Sequence, residues 1–186
     1  MIQYKKYYMP GTKEELLKTI DTIDCTYDIL AGGTDLYAKE KTPFNGADAA
    51  IDISGIKEFS VIKLKKEEGL ITFGSNICIQ QFLEEKVLME NVPILRHAAI
   101  YFADQQIREM ATVGGNVANS SPSGDTIAPL TALEAVIHTI TSKDNKICEK
   151  ETPITEFITG VGKNLLEKGE VISSITCPVL KEYGCA

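Results

Sequence analysis

The stretch Thr112–Asp125, TVGGNVANSSPSGD, packs three glycines, three serines and two asparagines into fourteen residues with a single formal charge. Glycine permits positive φ and removes the Cβ that would hold a ligand away from the main chain. Successive amides freed in this way can form a concave anion nest, to which Thr112, Ser120, Ser121 and Ser123 add hydroxyl donors. A second glycine loop, LAGGTDLY at 30–37, follows a predicted strand and brings Thr34. Neither loop contains Lys or Arg, which suits a pyrophosphate held by backbone. Either loop alone is equally well explained as a tight turn with Asp35 or Asp125 as a helix cap. Two of them in one small chain favour a ligand.

The two common phosphate motifs are absent. No GxGxxG occurs, and GVGKN at 160–164 fails the GxxxxGK[ST] pattern, with Phe157 in place of the first glycine and Asn164 in place of the hydroxyl. The chain is therefore neither a Rossmann protein nor a P-loop NTPase by motif.

Composition narrows the class further. With 186 residues and 44% hydrophobic content the chain can build a substantial core, as one generous domain or two small ones. A net charge of -7 and a pI near 4.9 argue against nucleic acid or an anionic membrane as partner. The basic run KLKKEE at 63–68 is closed by two glutamates and reads as a solvated turn. No segment approaches the roughly 18 apolar residues of a membrane span, and MIQYKKYYMP lacks the apolar core of a secretory signal, so a cytoplasmic location is expected. The five cysteines are scattered, odd in number and never form CxxC, so no disulfide framework or metal-ligand set is expected.

Several elements are legible. Thr12 and Glu15 form a capping box at the start of TKEELLKTI (12–20). YDILAGG and AAIDI (49–53) read as strands, and VIKLKKEEGLITFGS as a hairpin turning at Gly69. NICIQQFLEEKVL and VPILRHAAIYFA have helical spacing, with Ile79, Phe82 and Leu83 on one face of the first. IAPLTALEAVIHTI reads as a helix running into a strand, and GEVISSITCPV as a final strand. Strand runs in adjacent pairs, irregularly interleaved with helices, predict an α+β fold. A division is expected near residue 55. His97 and His138 read as structural or surface residues.

DILAGGTDL (28–36), FADQQIREMATVGGNVANSSPSGDTIAPLTAL (102–133) and LLEKGEVISSITCPV (165–179) resemble, in order, the FAD-binding subunit or domain of the molybdenum hydroxylases, the xanthine dehydrogenase and carbon monoxide dehydrogenase flavoprotein family. The resemblance runs from Tyr4 to Pro178. It implies the FAD-binding fold of the vanillyl-alcohol-oxidase (PCMH) type, with subdomains at 1–55 and 56–180 and FAD between them. It also implies that a further C-terminal family domain is missing after ITCPVL.

Carried over by position, the resemblance puts Ala31, Gly32, Gly33, Thr34 and Asp35 around the pyrophosphate, with Leu30 and Leu36 beside them. Thr112, Gly114, Gly115, Asn116, Ser121 and Gly124 would meet the flavin and its phosphate arm, and Asp125 a ribityl or ribose hydroxyl. Ile107 and Ile172 match apolar positions lining the cofactor, and Phe102 an aromatic near the isoalloxazine. The small residues would let main chain reach the cofactor. Glu109 departs from the family, which has a small or amide residue there, and Gly124 stands where another small residue is frequent. The implied role is an electron-transfer subunit: partner subunits carry the molybdopterin and the [2Fe-2S] clusters, and FAD passes electrons to NAD+ or another acceptor. No side chain need be catalytic, and no metal is expected on this chain. A flavin-poor scaffold or assembly subunit of the same complex is the alternative. A covalent flavin is disfavoured because the loops hold no histidine or cysteine.

Overall fold

The computed structural model describes residues 4–39, 47–143 and 146–180. The first third is a three-stranded parallel sheet. Strand β1 (Lys6–Tyr8) leads to helix α1 (Lys13–Thr22), followed by β2 (Tyr27–Leu30), α2 (Thr34–Lys39) and β3 (Ala49–Asp52), in the sheet order β1-β3-β2. At the start of α1 the Thr12 side chain accepts from the Glu15 amide at 3.2 Å, as the sequence predicts. Glu15 reaches back one residue further than a strict capping box, accepting from the Gly11 amide at 2.7 Å. Leu16 and Leu17 are thereby turned inward beside Ile51.

A 3-10 turn at Lys57–Ser60 leads into the expected hairpin, β4 (Ile62–Lys65) and β5 (Leu70–Gly74), with Gly69 in the left-handed region at φ +63°. The segment expected as one helix from NICIQQFLEEKVL is instead an extended entry followed by two short helices, α3 (Gln81–Glu84) and α4 (Lys86–Asn91). Two competing bonds explain the difference. Ile79 donates to the Ala111 carbonyl and Val113 to the Ile77 carbonyl, each at 2.9 Å, which holds Ile77–Ile79 antiparallel to Ala111–Val113. Ile79 and Phe82 still enter the core, from different elements.

Then come α5 (Pro93–Tyr101), α6 (Gln105–Met110), α7 (Val113–Asn119) and α8 (Ile127–Ala132). The glycine-rich stretch is thus half helical. The chain ends in β6 (Val136–Lys143), β7 (Lys146–Pro153), α9 (Ile154–Phe157), a small hairpin of β8 (Ile158–Gly160) and β9 (Lys163–Asn164), and β10 (Val171–Pro178). A five-stranded antiparallel sheet forms in the order β4-β5-β10-β6-β7. The architecture is α+β, as the sequence predicts.

The larger core packs this sheet against α3, α4, α5, α7 and α8 through Ile71, Phe73, Phe82, Leu95, Ile137 and Ile175. Phe73 and Phe82 meet edge to face, with centroids 5.4 Å apart and planes at 87°. Cys177 lies in the same core, where burial pushes its thiol up to about 12. The second core joins the two sheets, uniting Leu16, Ile51 and Phe59 with Ile140 of β6 and Val171 of β10. The β10 register shifts between Ile172 and Ser174. His138 of β6 faces outward, its Nε2 2.7 Å from Thr176 Oγ1 and its Nδ1 3.4 Å from Glu151, while His97 is exposed on α5. Among the described residues no helix is long and apolar enough to cross a membrane.

Truncating Phe73 to alanine is expected to cost about 3–5 kcal/mol of unfolding free energy, the usual penalty for emptying a fully buried aromatic site. A urea titration of Phe73→Ala followed by far-UV circular dichroism would measure it.

Candidate functional site

The β2–α2 turn and the α6–α7–α8 segment converge on a cleft of about 660 Å³, within the roughly 300–1,000 Å³ that small-molecule and cofactor sites occupy. One wall carries Ala31, Gly32, Gly33, Thr34, Asp35 and Leu36, and the other Thr112, Gly114, Gly115, Asn116, Ser121, Gly124 and Asp125. Phe102, Ile107 and Ile172 add apolar surface, so the structure gathers these sequence-selected residues in one place. Leu30 is the exception. Side chains alternate along a strand, and Ile29 and Ala31 turn to the cleft while Leu30 does not; its carbonyl instead takes the Ile53 amide at 2.8 Å.

Main-chain approach dictates two of the glycines, in a different way from that expected. A Cβ on Gly32 would overlap the Met110 carbonyl, and one on Gly114 would lie 2.5 Å from the Ser75 Cβ. Both glycines let protein backbone approach protein. Gly33 has φ +69° and needs glycine for its conformation. At Gly115 the constraint is milder, since a Cβ there would lie 3.0 Å from Thr112 Oγ1, a side-chain atom that can yield by a few tenths of an ångström.

At the start of α7 the second loop does not form the expected anion nest. In the first turn of α7 the amides are already used: Val113 donates to Ile77, Gly114 to the Ser75 carbonyl, Gly115 to Thr112 Oγ1 and Asn116 to the Thr112 carbonyl. The first loop differs, because the amides of Gly32, Gly33 and Thr34 have no acceptor among the described residues. Among the described residues the cleft lining carries three carboxylates, Asp35, Asp125 and Glu170, and neither Lys nor Arg. Asp35 and Asp125 are exposed at its rim. Glu170 is engaged, accepting from Thr139 Oγ1 and from the Glu167 amide.

Sequence reasoning missed several contributors. Ser75 and Asn76 line the cleft, are both over nine-tenths buried, and leave Ser75 Oγ and Asn76 Oδ1 unpaired. Their signal was faint: a hydroxyl and an amide immediately after a strand. Arg108 shapes the apolar end from outside. Its Nη1 donates to the Phe102 and Ala103 carbonyls at 3.0 and 3.1 Å and its Nε to Gln80 Oε1 at 2.8 Å, pinning a turn in which Ala103 has φ +35°. Glu109 faces solvent, and burial followed by its charge raises the nearby Cys78 thiol.

Residues 2–180 match the model of the FAD binding domain in molybdopterin dehydrogenase. The chain belongs to that family. Its cofactor is FAD, and the cleft suits one: a turn of unpaired amides, an opposite wall built from glycines, buried polar atoms without partners and an apolar end. The chain is 29% identical to the nicotinate dehydrogenase FAD-subunit of Eubacterium barkeri, over 91% of its own length and 57% of that protein's. It is 31% identical to a putative xanthine dehydrogenase FAD-binding subunit of Escherichia coli K12, over 81% and 50% of the respective lengths. Among solved structures, carbon monoxide dehydrogenase from Hydrogenophaga pseudoflava superposes with a TM-score of 0.87 at 26% identity, covering 97% of this chain and 61% of that one. The chain therefore spans half to three-fifths of the length of these relatives.

Gly32→Ala is expected to lose about 1–3 kcal/mol or more of stability, since a rigid carbonyl has to move. Gly115→Ala should stay within about 1 kcal/mol of the parent, because alanine favours the helix it joins. Paired thermal melts and FAD titrations of the two variants check this, with weakened FAD uptake by a well-folded Gly115→Ala as the expected second result.

Proposed function

We propose that FAD lies in this cleft and that the chain serves as the flavin-carrying part of a molybdenum hydroxylase. The observation that carries the reading is the pairing of a turn of unsatisfied amides at 32–34 with a facing glycine-rich wall that bears no cation. The free amides of Gly32, Gly33 and Thr34 would receive the diphosphate, an anion matched by backbone dipoles. Asp125, exposed at the rim, would accept from a sugar hydroxyl. Phe102 and Ile172, both nearly buried, would form an apolar seat for the isoalloxazine, with Ile107 at its open edge.

Bound FAD would supply the redox chemistry, receiving electrons from [2Fe-2S] clusters on a partner subunit that is itself fed by a molybdopterin-binding subunit, and delivering them to NAD+ or another acceptor. The chain's own residues hold and shield the ring. No acid–base side chain is required of them. This division of labour is supported by the relatives, which are named as FAD subunits or medium chains of dehydrogenases. Xanthine-type chemistry and a cytoplasmic location belong to the same proposal.

The purified chain is expected to bind FAD at one per chain, with visible bands that perturb and saturate on titration. Asp125→Ala should weaken FAD by about 1–3 kcal/mol, the range expected when a sugar hydroxyl loses its charged acceptor. Equilibrium titration followed by flavin absorbance measures both, and an unchanged dissociation constant would remove Asp125 from the site.

A further inference from the structure

The second wall of the cleft uses the amides at the start of α7 internally, so the donors it offers come from the rest of the loop and from side chains. Asn116 lines the cleft from α7. Its amide is held at one end: Thr126 Oγ1 donates to Asn116 Oδ1 at 2.6 Å and the Thr126 amide donates to the same oxygen at 3.4 Å. A backbone N–H can only donate, so the oxygen, not the nitrogen, must face Thr126. Asn116 Nδ2 is left with no partner among the described residues.

Two further features fix this arrangement. Thr126 is 3% exposed, so its hydroxyl is shielded from bulk solvent. A Cβ on Gly124 would lie 3.1 Å from Asn116 Oδ1 and 2.9 Å from Ile127 Cδ1, so glycine there leaves the amide oxygen the room it occupies.

From these contacts we infer that Thr126 is a positioning residue which turns the Asn116 amide so that Nδ2 serves as the hydrogen-bond donor of the second wall toward an oxygen of FAD. Thr126 does not touch the cofactor itself. It sets the polarity of the site at one point, making it a donor in a cleft whose charged lining side chains, among the described residues, are all carboxylates. The inference rests on the reading that FAD occupies the cleft. Two oxygens have the required chemistry, a diphosphate oxygen and a carbonyl of the flavin ring.

The test is a double-mutant cycle on the full chain, with FAD affinity read by flavin fluorescence and folding by thermal melts. Thr126→Val keeps the shape and removes the hydroxyl; it should raise the FAD dissociation constant about tenfold, the order expected for one lost hydrogen bond in a low-dielectric site. Thr126→Ser restores the hydroxyl and should return affinity to within about threefold of the parent. In an Asn116→Ala background Thr126→Val should cost nothing more, since the group it orients is gone. An equal loss in both backgrounds would overturn the proposal, as would failure of Thr126→Ser to rescue a folded protein. Competition with ADP-ribose locates the acceptor: weakening shared by ADP-ribose puts it on the diphosphate, and weakening confined to FAD puts it on the ring, either result supporting the donor role. A parent chain that takes up no FAD would overturn the cleft reading itself, and the proposal with it, whereas an intact parent with an uncoupled cycle would overturn only the role of Thr126.

Discussion

Much of this structure depends on one close approach of main chain to main chain. Where Gly32 meets the Met110 carbonyl there is no room for a single carbon atom, and this contact joins the parallel-sheet end of the chain to the helices above the antiparallel sheet. The Gly114–Ser75 contact repeats the device on the opposite wall. Both walls of the cleft are therefore set at a spacing fixed by backbone, which varies far less than spacing set by side-chain rotamers. The second core, with Leu16 and Phe59 packed on Ile140 and Val171, supports the same junction from below.

The cleft that results divides its tasks by position. The first loop presents amides, because a turn with Gly33 at positive φ leaves Gly32–Thr34 unpaired. The second presents a helix whose amides are already spent, so its contribution passes to side chains such as Asn116. At the apolar end, Arg108 ties the turn at Phe102 and Ala103 to α3 through Gln80. A guanidinium acts here on carbonyls behind the wall and contributes no side chain to the lining.

The parts legible in the sequence were those with a local signature. Thr12 and Glu15 announced α1, Gly69 announced its hairpin, and the alternation in GEVISSITCPV announced β10. The two glycine loops pointed to a ligand cleft because two of them in one small chain are harder to explain as capped turns than either is alone. Ile77–Ile79 was misread because its extended form is set by bonds to Ala111 and Val113, some thirty residues away, which no local period reports. Strand β7, KICEKETP, escaped notice because it is an edge strand in which only Thr152 is buried, so its alternation is nearly silent. The close approach at Gly32 was not legible, since a sequence does not say what a missing Cβ would strike. Thr126 and Asn76 were invisible for the same cause: their importance is a matter of which atoms lack, or supply, a partner.

The β10 register shift between Ile172 and Ser174 also bears on how this molecule holds together. Adjacent residues of that strand belong to different cores, Val171 to the one shared with the parallel sheet and Ile172 to the larger one. A strand committed to both cannot leave either alone. Loosening the floor of the cleft therefore strips apolar cover from both sheets at once, so that the chain's resistance to unfolding and its grip on whatever fills the cleft become a single cooperative property.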